Sequence, residues 1–185
     1  MKVYTKEQLE IIEKVFIKRL PESDLIKNNI KLLDYKELQE ILDWYIAKND
    51  YISFETIFWF FSLRLDIKER EKLYQKYILE QSHYAHEEMA SAFQTIFNNN
   101  IENIAILLKA IDNIPEYLEP EDFKYPYIRK IIYAIGAQPQ PESLLALEKL
   151  ASETNDIKIK ELALHQLEKR KELGRWEYEK NLESK

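Results

Sequence analysis

The chain has 185 residues, 45% of them hydrophobic, and a net charge of −6. That is enough to bury one core without disulfide or metal staples. It has no cysteine and only two glycines, which excludes disulfides, thiolate catalysis and Cys-based zinc sites and argues against glycine-rich phosphate loops. The acidic balance opposes a nucleic-acid binder, which needs a basic face to release counterions. It suits a basic partner instead.

The N-terminal residues show no apolar signal region, and the absence of cysteine fits a reducing cytoplasm. Thr5 with Gln8 reads as a capping box that opens a helix to about Arg19, where Pro21 ends it. Leu9, Ile12, Phe16 and Leu20 share one face. A short helix is expected around Ser23 to Lys27. Asp34 with Glu37 opens a second capped helix to about Lys48, with Leu38, Ile41, Leu42, Tyr45 and Ile46 as its stripe.

Asn49-Asp50 breaks that helix, and Ser53 is expected to cap a run from Phe54 to Leu65. The apolar stretch from Ile52 to Leu65 falls short of the roughly 20 residues a bilayer span needs, so it reads as a buried helix rather than a membrane segment. As a dimer interface it would serve equally well. Trp44, Tyr45, Trp59 and Phe60 sit on the neighbouring helices of this region. Asp66 caps the next helix, to about Glu80.

The second half carries a recurring unit. Ala85–Phe93, Tyr127–Ile135 and Ile159–Leu167 superpose without gaps, so that Met89, Ile131 and Ala163 coincide, as do Ala92, Ala134 and Gln166, and Phe93, Ile135 and Leu167. Each segment is followed by a second apolar helical run, at a spacing of about 30–40 residues that marks stacked helix pairs. The expected elements are helices Ala85–Phe97 and Ile101–Asp112, an acidic insertion from Asn113 to Tyr125, and a helix from Pro126 to Ile135. Gly136 is expected at the C′ position of that helix, with φ > 0. A helix from Pro141 through Ala151 follows, and then a last long helix capped by Thr154-Asn155-Asp156. Lys169, Arg170 and Lys171, mixed with Glu168 and Glu172, read as a solvated face. Trp176, Tyr178 and Leu182 would let the tail fold back.

Two features carry chemistry. His83, His86 and Glu87 could share one helical turn and hold zinc or iron, although no third ligand follows downstream and carboxylates at a helix N-terminus also serve the dipole. The insertion carries Glu116, Glu119, Glu121 and Asp122, flanked by Tyr117, Tyr125 and Tyr127. Loops longer than a fold requires are where binding concentrates, and tyrosines anchor protein interfaces.

The block from about His83 to Glu168 resembles bacterial HEAT-like repeat proteins. The resemblance rests on Ile128-Arg129-Lys130-Ile131-Ile132-Tyr133-Ala134-Ile135-Gly136, on Pro141-Glu142-Ser143-Leu144-Leu145-Ala146-Leu147, and on the run from Asn155 to Leu167. It implies an all-α fold: an α-solenoid of stacked antiparallel helix pairs over residues 81–172, behind an N-terminal helical cap or degenerate repeats over residues 1–80, with a charged tail over 173–185.

HEAT-like deoxyhypusine hydroxylases hold two irons with His-Glu pairs at several repeat helices, but here only His86-Glu87 fits that pattern. Phycobilin lyases resemble this repeat too, though nothing here points to a pigment, and the HEAT-like DNA glycosylases need a basic groove that the charge opposes. The composition looks most like the HEAT-like immunity proteins of bacterial toxin systems. That likeness implies a non-catalytic, cytoplasmic protein without metal or cofactor, binding neither nucleic acid nor membrane. Its partner would be another protein, a basic toxin domain, contacted by Glu116, Tyr117, Glu119, Asp122, Tyr125 and Tyr127 and by the face near His86 and Glu87. A general interaction scaffold and a metal-dependent enzyme using His83 and His86 are the alternatives.

Overall fold

The computed structural model describes residues 3–174. Among them are ten α-helices and one 3-10 turn, and no strand. The aromatic tail residues Trp176, Tyr178 and Leu182 lie outside the described residues. The chain divides into two compact units, Met1–Tyr84 and Ala85–Lys185.

The first unit holds α1 (Lys6–Phe16), α2 (Ser23–Lys27), α3 (Tyr35–Ala47), α4 (Tyr51–Ser62) and α5 (Ile67–Tyr77). Both expected capping boxes are present, Thr5 with Gln8 and Asp34 with Glu37. Each satisfies two orphan backbone donors within its own first turn. The first helix is shorter than expected. It ends at Phe16 because Lys18 takes a left-handed φ of 58°, and the Arg19 and Leu20 amides fold back onto the Lys14 carbonyl. Asn49 takes the same conformation after α3, with φ 54°, a position that asparagine tolerates.

One cap differs from expectation. Asp50, not Ser53, caps α4, and its carboxylate accepts from the Ser53 amide at 3.1 Å. The cap therefore lies three residues earlier, and Ser53 sits buried inside the helix. Phe54, Ile57, Phe58, Phe60 and Phe61 of α4 are all buried, so this apolar run is core within its unit. Phe54 and Phe58 stack at 5.6 Å, and Tyr77 and Tyr74 of α5 meet them edge-on or tilted. Such offset and edge-to-face contacts suit the ring quadrupoles.

The second unit holds α6 (His86–Thr95), α7 (Glu102–Asp112), the 3-10 turn Glu116–Leu118, α8 (Glu121–Ala137), α9 (Pro141–Glu153) and α10 (Ile157–Glu172). Helix α8 packs against α6, α7, α9 and α10, so it forms the centre of the unit. The superposed positions are buried in every copy: Met89, Ile131 and Ala163, then Ala92, Ala134 and Gln166, then Phe93, Ile135 and Leu167. Pro141 occupies the first turn of α9, and the Asp156 carboxylate caps α10.

Two expectations about α8 are corrected. It starts at Glu121 rather than Pro126, so Pro126 lies inside it. The Phe123 and Lys124 amides close the opening turn on the Pro120 carbonyl, and Pro126, which has no N–H, then costs one ladder bond. Gly136 is not a left-handed C′ residue either: it is helical, and Gly174 is the positive-φ glycine among the described residues. What the glycine supplies is space. A Cβ at Gly136 would lie 2.6 Å from Oε1 of the buried Gln166. The helix ends instead at Gln138, which is extended (φ −68°, ψ 130°) because Pro139 follows it.

Candidate functional site

The acidic segment is less of a loop than its composition implies. Its backbone forms the 3-10 turn and then the first turns of α8. Leu118 and Pro115 are buried beneath it. Tyr117 turns inward, and its hydroxyl shares a 3.0 Å hydrogen bond with Nδ1 of His86. The Tyr127 ring meets His86 edge-on at 6.2 Å. Both His86 and Tyr127 are 0% exposed, so neither offers surface to a partner. They form the floor of the segment. Burial, and then the neighbouring Tyr117, hold the Tyr127 phenol well above the ordinary range.

The far end of the segment is tied to α10. The Tyr125 hydroxyl donates to the Asp156 carboxylate at 3.1 Å. Lys158 stands 4.2 Å from the centre of the Tyr125 ring and pairs with Glu121 at 2.9 Å. Glu87 is half-buried and ion-paired with Lys130 of α8. Of the eight side chains that the sequence singles out, Glu116, Glu119 and Asp122 are exposed. Tyr117 and Tyr125 are half-buried and point their hydroxyls at internal partners. Sequence reasoning missed Lys130, Asp156 and Lys158, whose role depends on which helix each one faces.

The two histidines do not form one helical face. Helix α6 begins at His86, and His83 precedes it in the first unit. His83 stacks on Phe54 at 4.7 Å and 14°, and its Nε2 donates to the Tyr77 carbonyl at 2.7 Å. Both rings are buried. Among the described residues, no group of three or more His, Asp or Glu side chains is placed to hold a metal ion.

The basic run near the C-terminus also needs correction. Lys169 and Lys171 are exposed, but Arg170 is only 2% exposed. Its Nη1 donates to the Gly136 and Gln138 carbonyls at 3.2 and 3.3 Å and to the Ser143 hydroxyl at 2.6 Å. It closes the C-terminal end of α8, where a cation also meets the favourable end of the helix dipole. Among the described residues, no helix is long and apolar enough to cross a membrane. In comparison with known proteins, no family model, no curated protein and no solved structure matches this chain.

Proposed function

We propose that this protein is a non-catalytic protein-binding module, an immunity or inhibitor protein that binds a basic toxin domain in the cytoplasm. In this reading the second unit is an α-solenoid of HEAT-like antiparallel helix pairs, and residues 1–80 are an N-terminal helical region, either degenerate repeats or a cap. The packing of α8 among α6, α7, α9 and α10 supports that view, as do the equivalent buried positions in α6, α8 and α10.

One observation carries the binding reading. Glu116, Glu119 and Asp122 stand exposed on a segment anchored at one end by Tyr117 on His86 and at the other by Tyr125 on Asp156. Carboxylates on a fixed backbone meet a basic surface with little ordering cost, and their field speeds encounter. His86 and Tyr127 support the segment from below, and Glu87 and Lys130 brace α6 against α8.

Affinity capture with the whole chain, followed by association kinetics with the captured partner, tests this. The expected result is one stoichiometric basic partner whose association rate falls at least about tenfold for Glu119→Lys/Asp122→Lys and falls again with salt. Unchanged affinity and rate in the double reversal would remove the segment from the interface.

A further inference from the structure

The first unit holds a cleft of about 480 Å³ between the N-terminal segment, α1, the end of α3 and the start of α4. Its wall is aromatic and apolar, from Trp44, Tyr45, Leu9 and Ile52, and its acidic groups are Glu10, Glu13 and Asp50. Among the described residues Lys6 is the basic side chain lining it, and Lys14 stands 3.8 Å from Glu10, so three carboxylates face two lysines and a small excess of negative charge remains.

Three details separate this cleft from an ordinary surface fold. Trp44 is only half-buried, and Ile52 is 67% exposed, so apolar surface stands open beside the carboxylates. Tyr45 meets the Trp44 ring edge-on at 5.1 Å and Lys48 lies 6.0 Å from it, so the indole is held in place beside the cleft. Tyr45 is 2% exposed and backs the cleft.

We propose that this cleft binds an arginine or lysine side chain of a basic protein partner. The apolar wall suits an aliphatic stem, the indole face suits a guanidinium or ammonium group, and Glu10, Glu13 and Asp50 neutralise its charge. Arginine fits better, because its planar head can stack on Trp44 while its edge reaches a carboxylate. The inference rests on the protein-binding reading and places a second acidic contact on the first unit, independent of Glu119 and Asp122.

The test follows the Trp44 indole N–H resonance of the full chain while a capped tetra-arginine peptide is added, with its uncharged citrulline counterpart as control. A saturable shift is expected with the arginine peptide and none with citrulline. Affinity, read by titration calorimetry because Trp44→Leu lacks the indole signal, should fall at least about fivefold in Glu10→Gln/Glu13→Gln and in Trp44→Leu, as expected when a desolvated cation loses its partners. The two glutamates are exposed, so the first variant should keep the wild-type melting temperature.

Glu119→Lys/Asp122→Lys should leave the Trp44 shift intact. No saturable shift, or a calorimetric affinity unchanged in both cleft variants, overturns the cleft assignment. A shift lost only in Glu119→Lys/Asp122→Lys overturns it too, while leaving the protein-binding reading in place.

Discussion

Arg170 donates to the main-chain carbonyl of Gln138 at 3.3 Å. Gln138 in turn spends its own side-chain amide on the Phe93 and Phe97 carbonyls, both at 3.2 Å. In the gapless superposition that lays Ile135 over Leu167, Arg170 falls on Gln138. Equivalent positions thus perform one task in successive turns of the chain, closing the C-terminal end of the preceding long helix, α6 for Gln138 and α8 for Arg170. The Gln138 Oε1 also accepts the Asn100 amide at 3.2 Å, so the side chain serves both the helix end and the turn beyond it.

Removing this closure should be costly. Arg170→Met leaves the Gly136 and Gln138 carbonyls and the Ser143 hydroxyl without their cationic donor. The expected loss is about 2–4 kcal/mol, since each charge-assisted bond contributes more than a neutral one. Arg170→Lys keeps the charge but not the fork, and should fall between the two. Urea unfolding of the three proteins measures it, and a change below about 0.5 kcal/mol in Arg170→Met, the size of an ordinary surface substitution, would contradict the capping role.

Gly136 and Gln166 should show a change of sign. Gly136→Ala alone drives a Cβ to 2.6 Å from Gln166 Oε1 in a buried setting, and is expected to destabilise by about 1–2 kcal/mol. With Gln166→Ala already in place the obstruction is gone. The same Gly136→Ala change should then stabilise by about 0.5–1 kcal/mol, the helix propensity of alanine over glycine. A double-mutant cycle by urea or thermal unfolding reads the coupling. Additive effects would mean that the two residues do not meet.

Alkaline pH should unfold the protein in a defined window. Burial raises the Tyr4, Tyr77 and Tyr127 phenols above the ordinary range and pushes Tyr45 up to about 12. Unfolded tyrosine ionises near pH 10, so the unfolded chain releases these protons first. The associated stability is complete below about pH 10 and is lost as pH rises from there towards each folded value, by at most about 1.4 kcal/mol per pH unit for each phenol. Urea midpoints measured from pH 8 to pH 12 should hold level and then fall. Tyr127→Phe should shallow that fall and, because the buried Tyr127 hydroxyl has no hydrogen-bond partner among the described residues, cost nothing at pH 8.

Support and surface in the acidic segment should separate by stability. Tyr117→Phe removes the bond to His86 and should cost about 1 kcal/mol. Glu119→Lys changes an exposed side chain and should stay within about 0.5 kcal/mol. Equal effects in thermal unfolding would show that Tyr117 does not anchor the segment.

What the amino-acid order determined by itself is the set of helices and several of their starts. Thr5 with Gln8, Asp34 with Glu37, Asp66, Pro141 and Asp156 each act on backbone groups within about one turn, so their signals are local and readable. The buried stripe of the recurring unit is legible for the same reason, because helical periodicity assigns Ile131 and Ile135 to one face before any neighbour is known. Of the candidate site, sequence located the exposed carboxylates at 116, 119 and 122 but could not tell that Tyr117 and Tyr125 turn inward.

Only tertiary structure decided that. Tyr117 finds His86, Tyr125 finds Asp156, and Arg170 finds Gly136 across tens of residues. The identities of such partners depend on which helix ends meet. The same chemistry therefore reads as surface in the sequence and as interior in the fold: Arg170 between two exposed lysines, His86 beside a half-buried glutamate, Gly136 as a gap for Gln166 rather than a turn. Burying a charged or strongly polar side chain is cheap only where packing brings it partners, as it does for Arg170 and His86, and that supply is set by the docking of α6, α8 and α10.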